Sequence, residues 1–107
     1  FSDVQKHVYD IVLNANIAAI NSLKGGEQSK IHHETALKVL TQGLIDLGIL
    51  TGDVDELIAD KAYLPFYMHG TGHWLGLDVH DAGRYTGDGG QPSKLEQGMV
   101  ITGEPGL

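Results

Sequence analysis

Apolar residues divide this chain into two unlike halves. In the first, Val4, Val8, Ile11, Val12, Ala15, Ala18 and Ala19 recur at intervals of three and four, the spacing that lines one face of a helix. Ser2-Asp3-Val4-Gln5 reads as a capping box: the Ser2 hydroxyl is placed for the Gln5 amide, and Asp3 adds negative charge at the positive end. Gly25-Gly26 ends the helix. From about Ser29 a second stripe follows, with His33, Leu37, Leu40, Leu44 and Leu47 on one face and Gly48 as its stop. The two helices are expected to pack antiparallel. Asp53-Val54-Asp55-Glu56 repeats the capping logic and opens a short third helix through about Lys61, with Val54, Leu57 and Ile58 inward; Pro65 blocks its continuation.

From Phe66 the pattern changes to aromatics, glycines and alternating residues. Strands are expected near Phe66–Met68, over Trp74–His80 and over Met99–Glu104. In the second of these Leu75, Leu77 and Val79 share one face, and Trp74, Gly76, Asp78 and His80 the other. Residues 83–94, with four glycines and Pro92, form a loop. Gly87-Asp88-Gly89-Gly90 lacks the Lys-Ser/Thr pair of a phosphate cradle. The elements together predict an α+β fold, with two long helices and a short one packed on a curved antiparallel sheet. Residues 1–62 are then mainly helical, and residues 63–107 carry strands and site loops.

Charge and composition narrow the partners. Fourteen acidic against seven basic residues give a formal charge of −7, which argues against nucleic acid or an anionic membrane as a partner. The absence of cysteine excludes disulfides and thiolate metal sites and suits a cytoplasmic setting. No run of about 18 apolar residues is present for a membrane span. The chain is short for a complete enzyme, and neither end has the look of a natural terminus, so a fragment of one domain is expected.

The chemistry is concentrated in His69-Gly70-Thr71-Gly72-His73-Trp74-Leu75-Gly76-Leu77-Asp78-Val79-His80-Asp81, where three histidines, three glycines and two carboxylates fall within thirteen residues. Imidazole near neutral pH can ligate a metal or exchange a proton. His69 and His73 have the spacing of a zincin helix, but no Glu follows the first, and glycines between them disfavour a helix by about 1 kcal/mol each. Tight backbone that lets other atoms approach is the better reading. Any one of these histidines alone would be an ordinary packed or loop residue; three together point to a site. The adjacent His32 and His33 point about 100° apart on a helix and are read as structural rather than as a shared metal site.

At His69-Gly70-x-x-His73-Trp74-Leu75-Gly76-Leu77-Asp78-Val79-His80-Asp81 and at Leu95-x-x-Gly98-Met99-Val100-Ile101-Thr102-x-Glu104-Pro105-Gly106, the chain resembles the pita-bread metallopeptidases, most closely their aminopeptidase P branch. The resemblance implies part of a pita-bread catalytic domain and an aminopeptidase that removes an N-terminal residue preceding proline. It implies two divalent ions, normally manganese, with zinc or cobalt as other possibilities. His73 and Glu104 would be metal ligands, with Glu104 also taking a proton from the attacking water. His69 and His80 would contact substrate and stabilise the charge that develops during reaction. The partner would be a peptide with an Xaa-Pro N-terminus, and the full-length enzyme a homo-oligomer.

The family pattern also contains two aspartates before this region and a last glutamate after it. Asp78, Asp81 and Asp88 stand in the wrong order to replace them, so the 107 residues alone are expected to be inactive. Gly103 stands where a larger, usually β-branched residue is common. A prolidase acting on dipeptides, or a non-catalytic relative that keeps the fold for binding, are the competing readings. Retention of His69, His73, His80 and Glu104 argues against the latter.

Overall fold

The computed structural model describes residues 1–107. Helix α1 spans Asp3–Ser22 and begins with the reciprocal bonds of a capping box: the Ser2 backbone N–H donates to Gln5 Oε1 at 2.8 Å, and the Gln5 N–H donates to Ser2 Oγ at 3.3 Å. Helix α2 spans Ile31–Asp46. It stops at Gly48, whose φ of 71° lets the Ile49 N–H turn back to the Leu44 carbonyl at 2.9 Å. Helix α3, Val54–Ala59, is capped by the Asp53 carboxylate, which accepts from the Asp55 and Glu56 amides.

Small residues set the distance between the long helices. Ala15 and Ala19 of α1 and Ala36 of α2 are fully buried, and Leu37, Leu40 and Tyr67 close the cluster around them. Gly43 lies so near α1 that a Cβ built on it would stand 2.4 Å from Ile11 Cγ2. The buried face of α2 runs through His32, Ala36, Leu37, Leu40, Thr41, Gly43 and Leu44. It is rotated slightly from the stripe expected above, so His33 and Leu47 sit half-buried at its edge. Val4, expected on the inner face of α1, is exposed. No helix is long and apolar enough to cross a membrane.

The curved antiparallel sheet does not form, so the α+β class is corrected to three helices followed by irregular chain with isolated bridges. Near Phe66–Met68 the chain is still winding: the Phe66 and Tyr67 amides both donate to the Tyr63 carbonyl at 2.9 Å, so they are spent locally. Over Trp74–His80 only Trp74 pairs across, with Ile101. Beyond it the chain folds on itself. Gly76 N–H donates to Asp78 O at 3.2 Å, Leu77 N–H to Asp81 Oδ2 at 3.0 Å, and Asp81 N–H to Trp74 O at 3.1 Å. Leu77 and Val79, which share one face of the expected strand, are both exposed. The Asp81 carboxylate offers the Leu77 amide a nearby acceptor, which competes with a ladder, and two short segments without further strands do not make a stable sheet.

What survives of the expected pairing is a bracket of constant register. Leu75 N–H donates to Val100 O at 3.2 Å and Thr102 N–H to His73 O at 2.9 Å, while Glu104 N–H donates to Thr71 O. Segment 71–75 thus runs antiparallel to segment 100–104. Asn16 of α1 reaches it from behind, donating its side-chain amide to Gly103 O at 2.9 Å. The intervening loop is tied down by bridges of Thr86 to Pro92 and of Gln28 to Lys94, with a 3-10 turn at Asp88–Gly90.

Candidate active site

The bracket brings the two histidine-rich and glutamate-bearing segments face to face. His69, Gly70, Gly72, His73, His80 and Glu104 line one open cleft of about 450 Å³. All four side chains singled out from the sequence, His69, His73, His80 and Glu104, therefore meet at one place.

His73 is held at both its backbone and its ring. Its backbone N–H donates to Thr102 Oγ1 at 3.0 Å, and its Nδ1 lies 2.9 Å from the Trp74 carbonyl. A carbonyl oxygen can only accept, so Nδ1 carries the hydrogen and Nε2 turns to the cleft. There it meets Glu104 Oε1 at 2.9 Å. A ring nitrogen lone pair and a carboxylate repel at that distance unless a positive centre lies between them, either a proton on Nε2 or a metal ion. The arrangement has the form of a metal-ligating imidazole, with its other nitrogen anchored to a backbone carbonyl. His73 and Glu104 thus fit one corner of a divalent site, although no third His, Asp or Glu comes close enough within these residues to complete it.

The other two histidines flank that pair. The His80 ring lies 4.0 Å from the His73 ring, centroid to centroid. His69 Nδ1 is 2.8 Å from the Gly70 carbonyl, so by the same reasoning its Nε2 is left to the cleft. The Thr102 hydroxyl beside it, and then the imidazoles of His73, His80 and His69, hold the Glu104 carboxyl below the usual carboxylate range. Glu104 stays ionised and half-exposed, available to a cation or a proton.

Glycine is required at Gly72, where a Cβ would lie 2.0 Å from the Thr102 backbone carbonyl oxygen; a Cβ on Gly76 would instead meet a side chain, 1.8 Å from Asp81 Oδ2. At Gly103 a Cβ would meet open space, so the departure noted there is not demanded by packing. Behind the cleft, His32 and His33 part company. His33 Nδ1 is 2.9 Å from Thr71 Oγ1, whereas the His32 ring is buried against Gly72. Burial holds both imidazoles below their ordinary value.

Thr71, Thr102, Tyr67 and Asn16 were not visible as site residues in the sequence. Only Thr71, lying between two glycines, carried a signal: a buried threonine in a flexible turn needs partners.

Metallopeptidase family M24 matches residues 1–107. The chain is 53% identical over its full length to the Xaa-Pro aminopeptidase of Haemophilus influenzae and 47% identical to that of Escherichia coli, covering 24% of each. Among solved structures, Pseudomonas aeruginosa aminopeptidase PepP is 51% identical with a TM-score of 0.91, over 94% of this chain and 23% of that one. An Escherichia coli aminopeptidase P variant in complex with substrate gives 44% identity and a TM-score of 0.86, over 94% and 22%. The chain thus spans about a quarter of the length of the curated relatives it matches.

Proposed function

The chain belongs to metallopeptidase family M24, whose members work with divalent metal ions, and on that premise we propose that it is part of the single catalytic domain of a Xaa-Pro aminopeptidase. Residues 1–62 form its helical support and residues 63–107 its site loops. The observation that carries the reading is the convergence of His73 Nε2 and Glu104 Oε1 at 2.9 Å in a cleft also lined by His69 and His80.

In this reading His73 and Glu104 are ligands in a two-ion site, with manganese as the metal by family resemblance, and zinc or cobalt compatible with the same imidazole and carboxylate donors. When bound, such ions polarise the scissile carbonyl and make water a better nucleophile. Glu104, ionised and beside three imidazoles, accepts the proton that the attacking water releases. His80, and His69 once its Nε2 also carries a proton, contact the substrate and stabilise the negative charge that develops on its carbonyl. The substrate is a peptide with proline second; proline has no amide hydrogen, so recognition must come from elsewhere. The absence of cysteine suits a cytoplasmic protein, and the apolar surface left open suits a homo-oligomer.

The test is hydrolysis of an Xaa-Pro-Xaa tripeptide by the full-length protein with and without manganese. Metal-dependent release of the first residue is the expected result. Cleavage of Xaa-Pro dipeptides alone would point to a prolidase, and no cleavage of either would overturn the proposal.

A further inference from the structure

The turn that carries His69 and His73 has little stiffness of its own. Glycines on either side of Thr71 widen the conformations open to it, yet catalytic side chains must be held to within about 0.5 Å of their working positions. Something outside the turn must hold it.

Thr71 is buried, and its bonds run in three directions. Its hydroxyl lies 2.9 Å from His33 Nδ1 on α2 and within hydrogen-bonding distance of the Tyr67 hydroxyl. Its carbonyl oxygen accepts the backbone N–H of Glu104. The Tyr67 ring packs edge-on against His69 at 4.9 Å and tilts against His33 at 5.8 Å, centroid to centroid. One residue therefore links α2, the segment before the histidine motif, the turn itself and the peptide of the glutamate.

The hydrogen bonds are consistent in sense. Burial pushes the Tyr67 phenol up, so it keeps its proton and donates to Thr71 Oγ1. Thr71 then donates its own hydrogen to Nδ1 of His33, whose burial favours the neutral ring. Each hydroxyl gives one hydrogen and finds one acceptor.

Resting on the metallopeptidase reading of the cleft, we propose that His33, Tyr67 and Thr71 are positioning residues, a side-chain brace from α2 that fixes the His69–His73 turn and the Glu104 peptide relative to each other. None of the three touches the reacting atoms. Their effect is on where His73 and Glu104 stand.

The test uses the full-length protein with four variants: His33→Leu and Thr71→Val, which keep bulk and lose the hydrogen bond, and His33→Asn and Thr71→Ser, which keep an acceptor or hydroxyl in place. Manganese titration of the metal-free protein by calorimetry is read beside kcat and KM on an Xaa-Pro tripeptide. Loss of a group that orients a metal ligand weakens affinity about tenfold or more, and misplacement of catalytic groups lowers kcat by about tenfold to a hundredfold with KM little changed. His33→Leu and Thr71→Val are expected to show both losses, and His33→Asn and Thr71→Ser neither. Parent-like manganese affinity in Thr71→Val, or equal losses in the conservative pair, overturns the brace. If His33→Leu fails to fold, Thr71→Val, which keeps the branched shape of the side chain, decides alone. A parent that binds manganese without cleaving the peptide sinks the functional reading, while the manganese arm still decides the brace. A parent that does neither sinks both.

Discussion

At the scale of single residues, the site separates two kinds of histidine. His73 has one nitrogen committed to the Trp74 carbonyl and the other facing Glu104 at 2.9 Å, whereas His80 lies beside the pair, its ring 4.0 Å from that of His73. In the full-length protein, His73→Ala is therefore expected to lose bound metal together with activity. His80→Ala should keep its metal and lose rate alone, by about a hundredfold, the effect of removing one donor to a developing negative charge. Metal content of the purified variants beside kcat is the measurement; equal metal loss in both would show the roles misassigned. The histidines stood out because three of them crowd into thirteen residues, and Glu104 because the motif around it resembles that of a known family. Thr71 and Thr102 did not, since a hydroxyl becomes a positioning group only through what the fold sets beside it, and His33 for Thr71 and His73 for Thr102 come from 38 and 29 positions away.

Among the elements, the helices were legible and the strands were not. A helix satisfies its own amides, so local signals suffice: Ser2 with Gln5, Asp53 with the amides after it, and Gly48 each act as the sequence suggests. A strand needs a partner elsewhere. Alternation over Trp74–His80 describes a chain that can pair, yet Asp81 takes the Leu77 amide and the run folds back. The rotation of the α2 face has a related cause. Gly43 is buried for its small size and for the nearness of α1, which hydrophobicity does not encode. Gly43→Ala tests how tightly that contact is set. The added methyl meets stiff, β-branched Ile11, and the overpacking cost of about 1–3 kcal/mol exceeds the gain of about 1 kcal/mol in helix propensity. Thermal unfolding should therefore show a lower midpoint; a higher one would mean that the helices have room to separate.

For the molecule as a whole, surface is the telling quantity. The accessible area of 6907 Å² exceeds the roughly 5800 Å² expected of a folded monomer of this mass. The radius of gyration of 14.9 Å exceeds the roughly 13 Å of a close-packed domain. Part of the excess lies on α1, where Tyr9, Leu13, Ile17 and Ile20 form an exposed apolar stripe opposite the buried alanines; a helix apolar on both sides is usually covered on both. The 107 residues on their own are accordingly expected to self-associate and to bind a hydrophobic dye. They should take up manganese weakly, since His73 and Glu104 offer two side chains where the ion wants about six donors. Sedimentation and calorimetry check this, and a dye-silent monomer with tight manganese binding would contradict it. The bracket between segments 71–75 and 100–104 bears on how such a molecule can change over evolutionary time. Its bonds all keep one offset, so a residue gained or lost at the tip of the intervening loop, around Asp88–Gly90, leaves that register unchanged. One gained or lost inside either arm turns every later side chain to the opposite face and carries Glu104 away from His73. Insertions and deletions can accumulate at the loop tip, while the arms can vary in composition but not in length.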